Sequence, residues 1–502
     1  MEAIEKKIEP YLSESLSKRV VKGGVWVFTL RIINRGLGFM RTIILARLLA
    51  PEAFGLLGIA LVSIATLETF SQTGFRAALI QKKESVESYL DTAWTVSAVR
   101  GTILFLILFS AAPAVAKFFK SPEASLVIRV LSISLLLSGF SNVGIIFFQK
   151  ELEFHKQFFY EITATLVDLS VTISLAFTWR NVWALVWGGL AASSVRLLMS
   201  YLIHPYRPRI KFGRAEYRDL FGFGKWIAGS TILVFLITQG DDILVGKMLG
   251  VTALGLYQMA YALSNLPATE ISHVIAQVTF PTFSKLQENM QKLKEGYIKV
   301  LQITAIVALP LAGMILVLAR DFTQIVIGDK WLPMVPAMQV LAFWGATRSI
   351  GSTAGPVFLS MGKPQILVQL QLLVLSTLAI LIYPLSVTFN ILGTSLAVCL
   401  ASILPNILAI LYVARLVNID SSKLAAEIFI PLLNTIFMII LILCLKLLFL
   451  KAADIINFCL LILCGITSYI AIAYFFERRR NYPIITIVKD IIKTSQPLKT
   501  AE

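Results

Sequence analysis

Long apolar segments recur along nearly the whole chain, and they constrain its fold more than any other feature. Each is about 20 residues long, enough to cross roughly 30 Å of hydrocarbon as an α-helix. With 57% hydrophobic residues, 15% charged residues and a mean hydropathy of +0.79 over 502 residues, the composition excludes a soluble globular protein. Because the short alternating segments of a membrane barrel are absent, we predict an all-α polytopic membrane protein.

The apolar segments predict about fourteen transmembrane helices. The first six cover 21–46, 55–78, 90–114, 124–148, 157–178 and 182–204. The next six cover 222–246, 254–279, 298–319, 334–360, 365–388 and 393–414. A final pair covers 427–449 and 454–476.

An internal repeat relates the two halves of the chain. The sequence RLLAPEAFGL at 47–56 returns as KMLGVTALGL at 247–256, with basic, leucine, alanine and glycine positions in register. Two pseudo-symmetric six-helix bundles are therefore expected, and paired halves of this kind enclose a substrate path and alternate its access. The predicted domains are a tail at 1–20, a first lobe at 21–204, a basic linker at 205–221, a second lobe at 222–414, helices 13 and 14 at 427–476, and a basic tail at 477–502.

Lysine and arginine concentrate on alternate loops, which predicts that both termini lie in the cytoplasm. The net charge of +16 is interpreted as a topology signal. A nucleic-acid partner is not expected, because the charge is dispersed and no aromatic stacking platform accompanies it. Residues 1–19 are polar and mixed in charge, so helix 1 is predicted to be an uncleaved anchor. The four cysteines have no metal-ligand spacing, and no metal site is expected.

Seven arginines fall inside predicted spans of the first half, where each charge at mid-bilayer costs about 2.5–3.5 kcal/mol. They are Arg31, Arg35, Arg41, Arg76, Arg100, Arg129 and Arg196. Helical spacing predicts that one polar face of helix 1 contains Arg31, Asn34, Arg35, Gly38, Arg41 and Thr42. One interpretation is a cationic cavity for an anionic group, with Arg31, Asn34, Arg35, Arg41, Arg129 and Arg196 as candidate ligands. The alternative is that the arginines reach the headgroups or pair with buried carboxylates.

Acidic residues inside the spans supply candidates for charge pairing or ion coupling. Helix 5 aligns Glu161, Thr165, Asp168 and Thr172 on one face, so its acids are possible partners of the arginines. The other candidates are Glu68, Asp241, Asp242, Glu270 and His273. An acid and a histidine one turn apart can exchange a proton, and an acidic pair can bind Na⁺. Interhelical hydrogen bonds, or pairing with Arg348 or Lys225, are the alternative.

Three segments carry a family resemblance. Residues 45–81, 241–287 and 328–364 resemble signature segments of bacterial polysaccharide exporters of the colanic acid, teichuronic acid and O-antigen type. These exporters belong to the multidrug/oligosaccharidyl-lipid/polysaccharide flippase superfamily. The chain departs from the family at Gln72-Thr73-Gly74, where an Asp-Leu-Gly turn is common. No role of that acid is therefore implied for this chain.

The resemblance implies a flippase, not an enzyme, in the cytoplasmic membrane of a prokaryote. It would move an undecaprenyl-pyrophosphate-linked oligosaccharide to the outer leaflet by alternating access, for lipopolysaccharide or exopolysaccharide export. Its arginines would hold the pyrophosphate. No organic cofactor is implied, although H⁺ or Na⁺ coupling is possible, and a polysaccharide polymerase or assembly protein is a possible partner.

Three alternative functions make different demands on the sequence. A multidrug/ion antiporter of the same superfamily would need an apolar or acidic pocket, against which the seven arginines argue. A peptidoglycan lipid-precursor flippase of that superfamily stays open. A membrane glycosyltransferase would need a large external loop bearing acids or histidines, and none is predicted.

Overall fold

Every regular element in the described part of the chain is a helix. The computed structural model describes residues 26–27, 29–81, 86–151, 153–448 and 454–480, without the side chains at 77, 81, 222–230, 266, 273–274, 276–278 and 476–480. The predicted tail 1–20, the start of predicted helix 1 and most of the tail 477–502 lie outside the described residues. The prediction of an all-α, multi-pass membrane fold is confirmed.

Contacts divide the chain into two units, Met1–Gly255 and Leu256–Glu502. The described helices of the first unit are α1 at 29–48, α2 (Pro51–Phe70), α3 (Phe75–Gln81), α4 (Glu87–Phe118), α5 (Ala124–Gly139), α6 (Phe147–Lys150), α7 (Phe154–Trp179), α8 (Val182–Ile203) and α9 (Arg214–Met248). Helix α10 (Val251–Leu286) starts before the boundary and continues beyond it. The second unit continues with α11 (Met290–Phe322), α12 (Val335–Ser352), α13 (Ala354–Ser360), α14 (Pro364–Val417), α15 (Ser421–Leu448) and α16 (Ile455–Arg480).

The contact boundary after Gly255 lies beyond the predicted linker 205–221. The reason is that α9 packs on α2, α3 and α4 and so joins the first unit. The two six-helix lobes, with the bounds given above, stay a prediction.

Among the described residues, eight helical segments are long and apolar enough to span a membrane. A ninth span would combine Ala124–Gly139 with Val143–Lys150, which meet at a bend of 74°. The prediction of one continuous helix over 124–148 is therefore wrong. The chain turns because the Asn142 side chain accepts the Gly144 N–H at 2.8 Å and starts a short 3₁₀ helix, Val143–Ile146. The total of fourteen spans stays a prediction.

Helix α14 is too long to cross the bilayer once. Its 54 residues would extend about 80 Å as a straight helix, more than twice the hydrocarbon thickness. The backbone leaves helical geometry at Asn390, where φ is 52° and ψ is −135°. The two arms on either side of Asn390 correspond to the predicted helices 365–388 and 393–414.

The predicted helix 55–78 is also interrupted. Helix α2 ends at Phe70, and α3 begins at Phe75 after a break in which Gly74 has a φ of 68°. Arg100 of α4 lies against the end of α2, where its Nη2 donates to Glu68 O at 2.9 Å and its Nε to Ser71 O at 2.9 Å. This arginine therefore donates to carbonyls at the C-terminal end of α2, where the helix itself supplies few donors.

The two copies of the repeat contact each other inside the first unit. A Cβ added at Gly55 would collide with the carbonyl oxygen of Val251, and one at Gly255 would collide with the carbonyl oxygen of Pro51. Because Pro51 and Gly55 correspond to Val251 and Gly255 in the repeat, the contact is reciprocal. Only glycine allows backbones to approach this closely.

In the second unit, the last two helices pack on the core through α11. Pro310 has no N–H to donate to Ile306 O, and the Tyr469 hydroxyl of α16 donates to that carbonyl at 3.1 Å instead. Lys446 of α15 forms an ion pair with Asp321 of α11 at 2.5 Å. These contacts attach α15 and α16 to α11.

Candidate functional site

Helices α1 and α7 pack side by side in the first unit. The Trp26 ring, before the start of α1, lies 5.1 Å from that of Phe158 of α7, and Arg41 of α1 meets Asp168 of α7. The Arg41 Nε is 3.0 Å from Asp168 Oδ2, and its Nη2 donates to Oδ1 at 3.2 Å. Their side chains are 27% and 21% exposed, so this two-point ion pair is largely buried.

Asp168 is held from a second direction by its own helix. The Thr172 hydroxyl, one turn along α7, donates to Asp168 Oδ1 at 3.0 Å. Gly188 of α8 faces this pair, because a Cβ there would overlap the Thr172 hydroxyl and lie 3.0 Å from Asp168 Oδ1. The absence of a side chain at Gly188 therefore allows α8 to pack directly over the acid.

A second charge pair lies on the same face of α7. Glu161 is seven residues before Asp168, and its Oε2 is 3.7 Å from Arg196 Nε of α8. This pair is longer and more exposed than that of Arg41 and Asp168. Helix α7 thus presents a row of two acids, each facing one arginine of a neighbouring helix.

The remaining candidate ligands of an anion have different surroundings. Arg31 is half-buried and Arg35 is exposed on α1. Asn34, two turns before Arg41 on the same face, has a buried Oδ1 that accepts no hydrogen bond from the described residues. The guanidinium of Arg129 lies 5.4 Å from the centre of the Phe109 ring, a cation–π contact with α4.

The other acidic candidates do not join the row on α7. Asp241 of α9 is only 2% exposed, and one of its oxygens accepts the N–H of Asp242 at 3.0 Å. Glu68 lies at the end of α2, beside Arg100. Glu270 is half-buried in α10, and the side chain of His273 lies outside the described part. Within the described residues, no group of three or more His, Cys, Asp or Glu could hold a metal ion.

Two features of this region were missed at the level of sequence. Gly188-Gly189 in predicted helix 6 was a signal for close packing, but the sequence does not say which helix approaches. The sequence gives no reason to separate Arg100 from the other membrane arginines, whereas in the structure it donates to the carbonyls of Glu68 and Ser71 at the end of α2. The break that creates those carbonyls had a signal in Gln72-Thr73-Gly74.

The sequence profile of the polysaccharide biosynthesis protein family matches residues 44–336, more than half of the chain. The chain belongs to this family. It is 28% identical over 354 residues to the lipopolysaccharide biosynthesis protein WzxC of Escherichia coli (strain K12), covering 70% of this chain and 72% of that protein. It is 24% identical over 352 residues to the succinoglycan biosynthesis transport protein ExoT of Rhizobium meliloti (strain 1021), covering 70% and 71%.

Solved structures of membrane transporters share the fold of this polysaccharide biosynthesis protein. The lipid II flippase MurJ in an inward closed conformation superposes with a TM-score of 0.74 at 16% identity, over 91% of this chain and 99% of that one. An inward-facing multidrug resistance MATE family transporter of the MOP superfamily superposes with a TM-score of 0.62 at 15% identity, over 76% and 94%. These likenesses show a shared fold. The resemblance to proteins of polysaccharide biosynthesis is confirmed by the family match over residues 44–336.

Proposed function

We propose that this protein is a flippase that moves a lipid-linked oligosaccharide across the cytoplasmic membrane by alternating access, without making or breaking a covalent bond. Relatives named for lipopolysaccharide biosynthesis and for succinoglycan transport support the polysaccharide substrate class. The fold shared with a lipid II flippase supports movement of a lipid-linked headgroup. The observation that carries the proposal at the residue level is the buried pair of Arg41 and Asp168.

The pair suits a substrate with an anionic headgroup. With no substrate bound, Asp168 neutralises Arg41 and lowers the cost of holding a guanidinium in the membrane. A pyrophosphate offers more negative charge and more oxygens than one carboxylate, so it competes for Arg41 in the same two-point geometry. Thr172 keeps a hydrogen bond to Asp168 when the arginine turns to the substrate.

The buried Oδ1 of Asn34 gives this surface a second type of contact. It accepts no hydrogen bond from the described residues and lies on the α1 face that carries Arg41. A sugar hydroxyl is a suitable donor to such an acceptor. We assign the pyrophosphate to Arg41, with Arg31, Arg35, Arg129 and Arg196 as further candidates, and the first sugar to Asn34.

Coupling to an ion is part of the proposal. Asp168 and Glu161 lose their counter-charges when the arginines bind substrate, so either acid can then take up H⁺ or Na⁺. Asp241, Asp242, Glu68, Glu270 and His273 stay candidates for the same role. We place both termini in the cytoplasm, and a polysaccharide polymerase is a candidate partner.

The experiment compares two buried ion pairs in a strain that lacks the chromosomal gene. Arg41→Gln, at wild-type expression, should reduce export of the glycan at least tenfold and cause lipid-linked oligosaccharide to accumulate at the cytoplasmic face. Lys446→Gln is the matched control, because it breaks the pair with Asp321 far along the chain. Export by Arg41→Gln at the wild-type rate would refute the role of this arginine.

A further inference from the structure

The segment between α8 and α9 is fastened to α4 by side chains. The N–H of Arg209 donates to Asp91 Oδ1 at 3.1 Å, and the N–H of Lys211 donates to Thr95 Oγ1 at 3.0 Å. The N–H of Gly213 donates to Thr92 Oγ1 at 3.0 Å. Every second N–H therefore points at α4, as in an extended chain.

Tyr206 secures the start of this segment. Its hydroxyl donates to Asp91, and its carbonyl accepts from Asn142 Nδ2 at 2.7 Å. Burial, together with the hydrogen bond to Asp91, raises the pKa of Tyr206, so the hydroxyl stays protonated and remains a donor. We call residues 206–213, held in this way, the strap.

The strap is amphipathic across its two edges. In an extended chain alternate side chains point to opposite sides, which separates Ile210 and Phe212 from Arg209 and Lys211. Ile210 is 87% exposed and Phe212 is 60% exposed, although both are large and apolar. Arg209 and Lys211 are exposed too. An apolar edge and a basic edge on one segment fit the boundary between hydrocarbon and headgroups.

A groove runs along α4 beside the strap. Its volume is about 310 Å³, and its lining residues include Val96, Val99, Ile103 and Phe212. Thr95, which binds the strap, and Ile103 are eight residues apart in sequence and so lie about 12 Å apart along the helix. Arg100 also lines the groove, but it is committed to the carbonyls of α2. The positive charge available to a ligand therefore lies at the strap end.

We propose that the strap and this groove form a binding site for an anionic phospholipid of the bilayer. Arg209 and Lys211 take the headgroup phosphate, while one acyl chain lies along Val99 and Ile103 under Phe212. The hydrogen bonds from the strap to Asp91, Thr92 and Thr95 of α4 keep the basic side chains at headgroup level. The site is separate from Arg41, so it goes beyond the proposed transport function and does not depend on it.

The test is native mass spectrometry of the purified full chain with phosphatidylglycerol or phosphatidylcholine of identical acyl chains. The wild type should bind phosphatidylglycerol more tightly. Arg209→Gln/Lys211→Gln should weaken that binding roughly 5- to 30-fold, since one basic residue near a membrane surface contributes about fivefold and two together about 30-fold. Lys120→Gln/Arg180→Gln removes the same charge at two exposed positions outside the strap and should change it less than twofold.

A second comparison tests the groove. Ile103→Trp should fill it and weaken binding of phosphatidylglycerol at least fivefold, while Leu106→Trp, at an exposed position of α4 that does not line the groove, should not. Equal wild-type affinity for the two lipids would overturn the proposal, and so would wild-type affinity in both the double glutamine variant and Ile103→Trp. Loss of binding in the control variants to the same extent would also overturn it.

Discussion

At the scale of single residues, Asp168 connects three helices. It pairs with Arg41 of α1, accepts the Thr172 hydroxyl of α7 and lies against Gly188 of α8. A charged group buried in a membrane is tolerated when its charge and its hydrogen-bonding capacity are both satisfied. The same arrangement leaves a guanidinium that a more highly charged anion can take over.

Replacement of Gly188 tests how tightly this arrangement is packed. Gly188→Ala should destabilise the protein by about 1–3 kcal/mol, because its Cβ would displace the Thr172 hydroxyl and crowd Asp168. Gly189→Ala is the control, since the nearest atom to its Cβ would be Leu131 Cδ2 at 4.0 Å. Thermal unfolding in detergent measures both. Equal melting temperatures for the two variants would contradict the packing described here.

His204, at the end of α8, predicts a dependence on pH. Its Nδ1 accepts the Tyr206 N–H at 3.2 Å, which requires an unprotonated nitrogen. Burial, followed by the charge of Lys156, lowers the pKa of His204, while Glu153 and Glu151 act in the opposite direction. As pH falls below the ordinary value of about 6.5, the unfolded chain binds the proton first, so stability decreases.

The measurement is thermal unfolding at pH 7.5 and pH 5.5. His204→Gln should lose part of the decrease that the wild type shows, because glutamine does not titrate in this range. His155→Gln, at an exposed position of α7, should keep the wild-type decrease. An unchanged decrease in His204→Gln would rule out this histidine as a source.

The residues of the site could be predicted from sequence only in part. Helical periodicity placed the acids of predicted helix 5 on one face, and the structure has Glu161 and Asp168 beside arginines. It could not select Arg41 among seven arginines, because the pair is separated by 127 residues and depends on how α1 and α7 pack. The role of Arg100 depends on a helix end that apolar periodicity does not reveal.

At the scale of helices, a proline or a helix end leaves backbone carbonyls without an N–H donor, and side chains of other helices donate to them. Pro310 leaves Ile306 O without its helical donor, and Tyr469 supplies one. Tyr469→Phe should therefore destabilise the protein by about 0.6 kcal/mol, a typical value for a hydrogen bond between membrane helices. In a Pro310→Ala background the helix can satisfy Ile306 O itself, so the same substitution should cost less.

Thermal unfolding of the wild type, both single variants and the double variant gives the coupling directly. Additive effects would show that Tyr469 does not compensate for Pro310.

Helix positions follow from apolar length, whereas breaks within apolar segments do not. The bounds of α7 and α8 agree with the predicted spans 157–178 and 182–204 within a few residues. The bend after Gly139 and the break after Phe70 do not follow from apolar length, because each falls at a few polar residues between longer apolar runs. Each break depends on local contacts, from the Asn142 side chain in one case and from Arg100 in the other.

At the scale of the whole molecule, the repeat explains why glycine occurs at two equivalent positions. Gly55→Ala and Gly255→Ala should each destabilise the protein by about 1–3 kcal/mol, since either Cβ collides with a carbonyl of the other copy. Gly240→Ala is the control, because no atom lies within 4 Å of its Cβ. Thermal unfolding measures all three variants. A melting temperature of Gly240→Ala below that of Gly55→Ala or Gly255→Ala would contradict the reciprocal contact.

The central claim is that Arg41 binds the anionic headgroup in competition with Asp168. The most direct test is the affinity of the purified protein for a polyprenyl-pyrophosphate-linked oligosaccharide in wild type, Arg41→Gln and Asp168→Asn. Competition predicts opposite signs, with binding at least tenfold weaker in Arg41→Gln and equal or tighter in Asp168→Asn. Wild-type affinity in Arg41→Gln, or an equal loss in both variants, would contradict the claim.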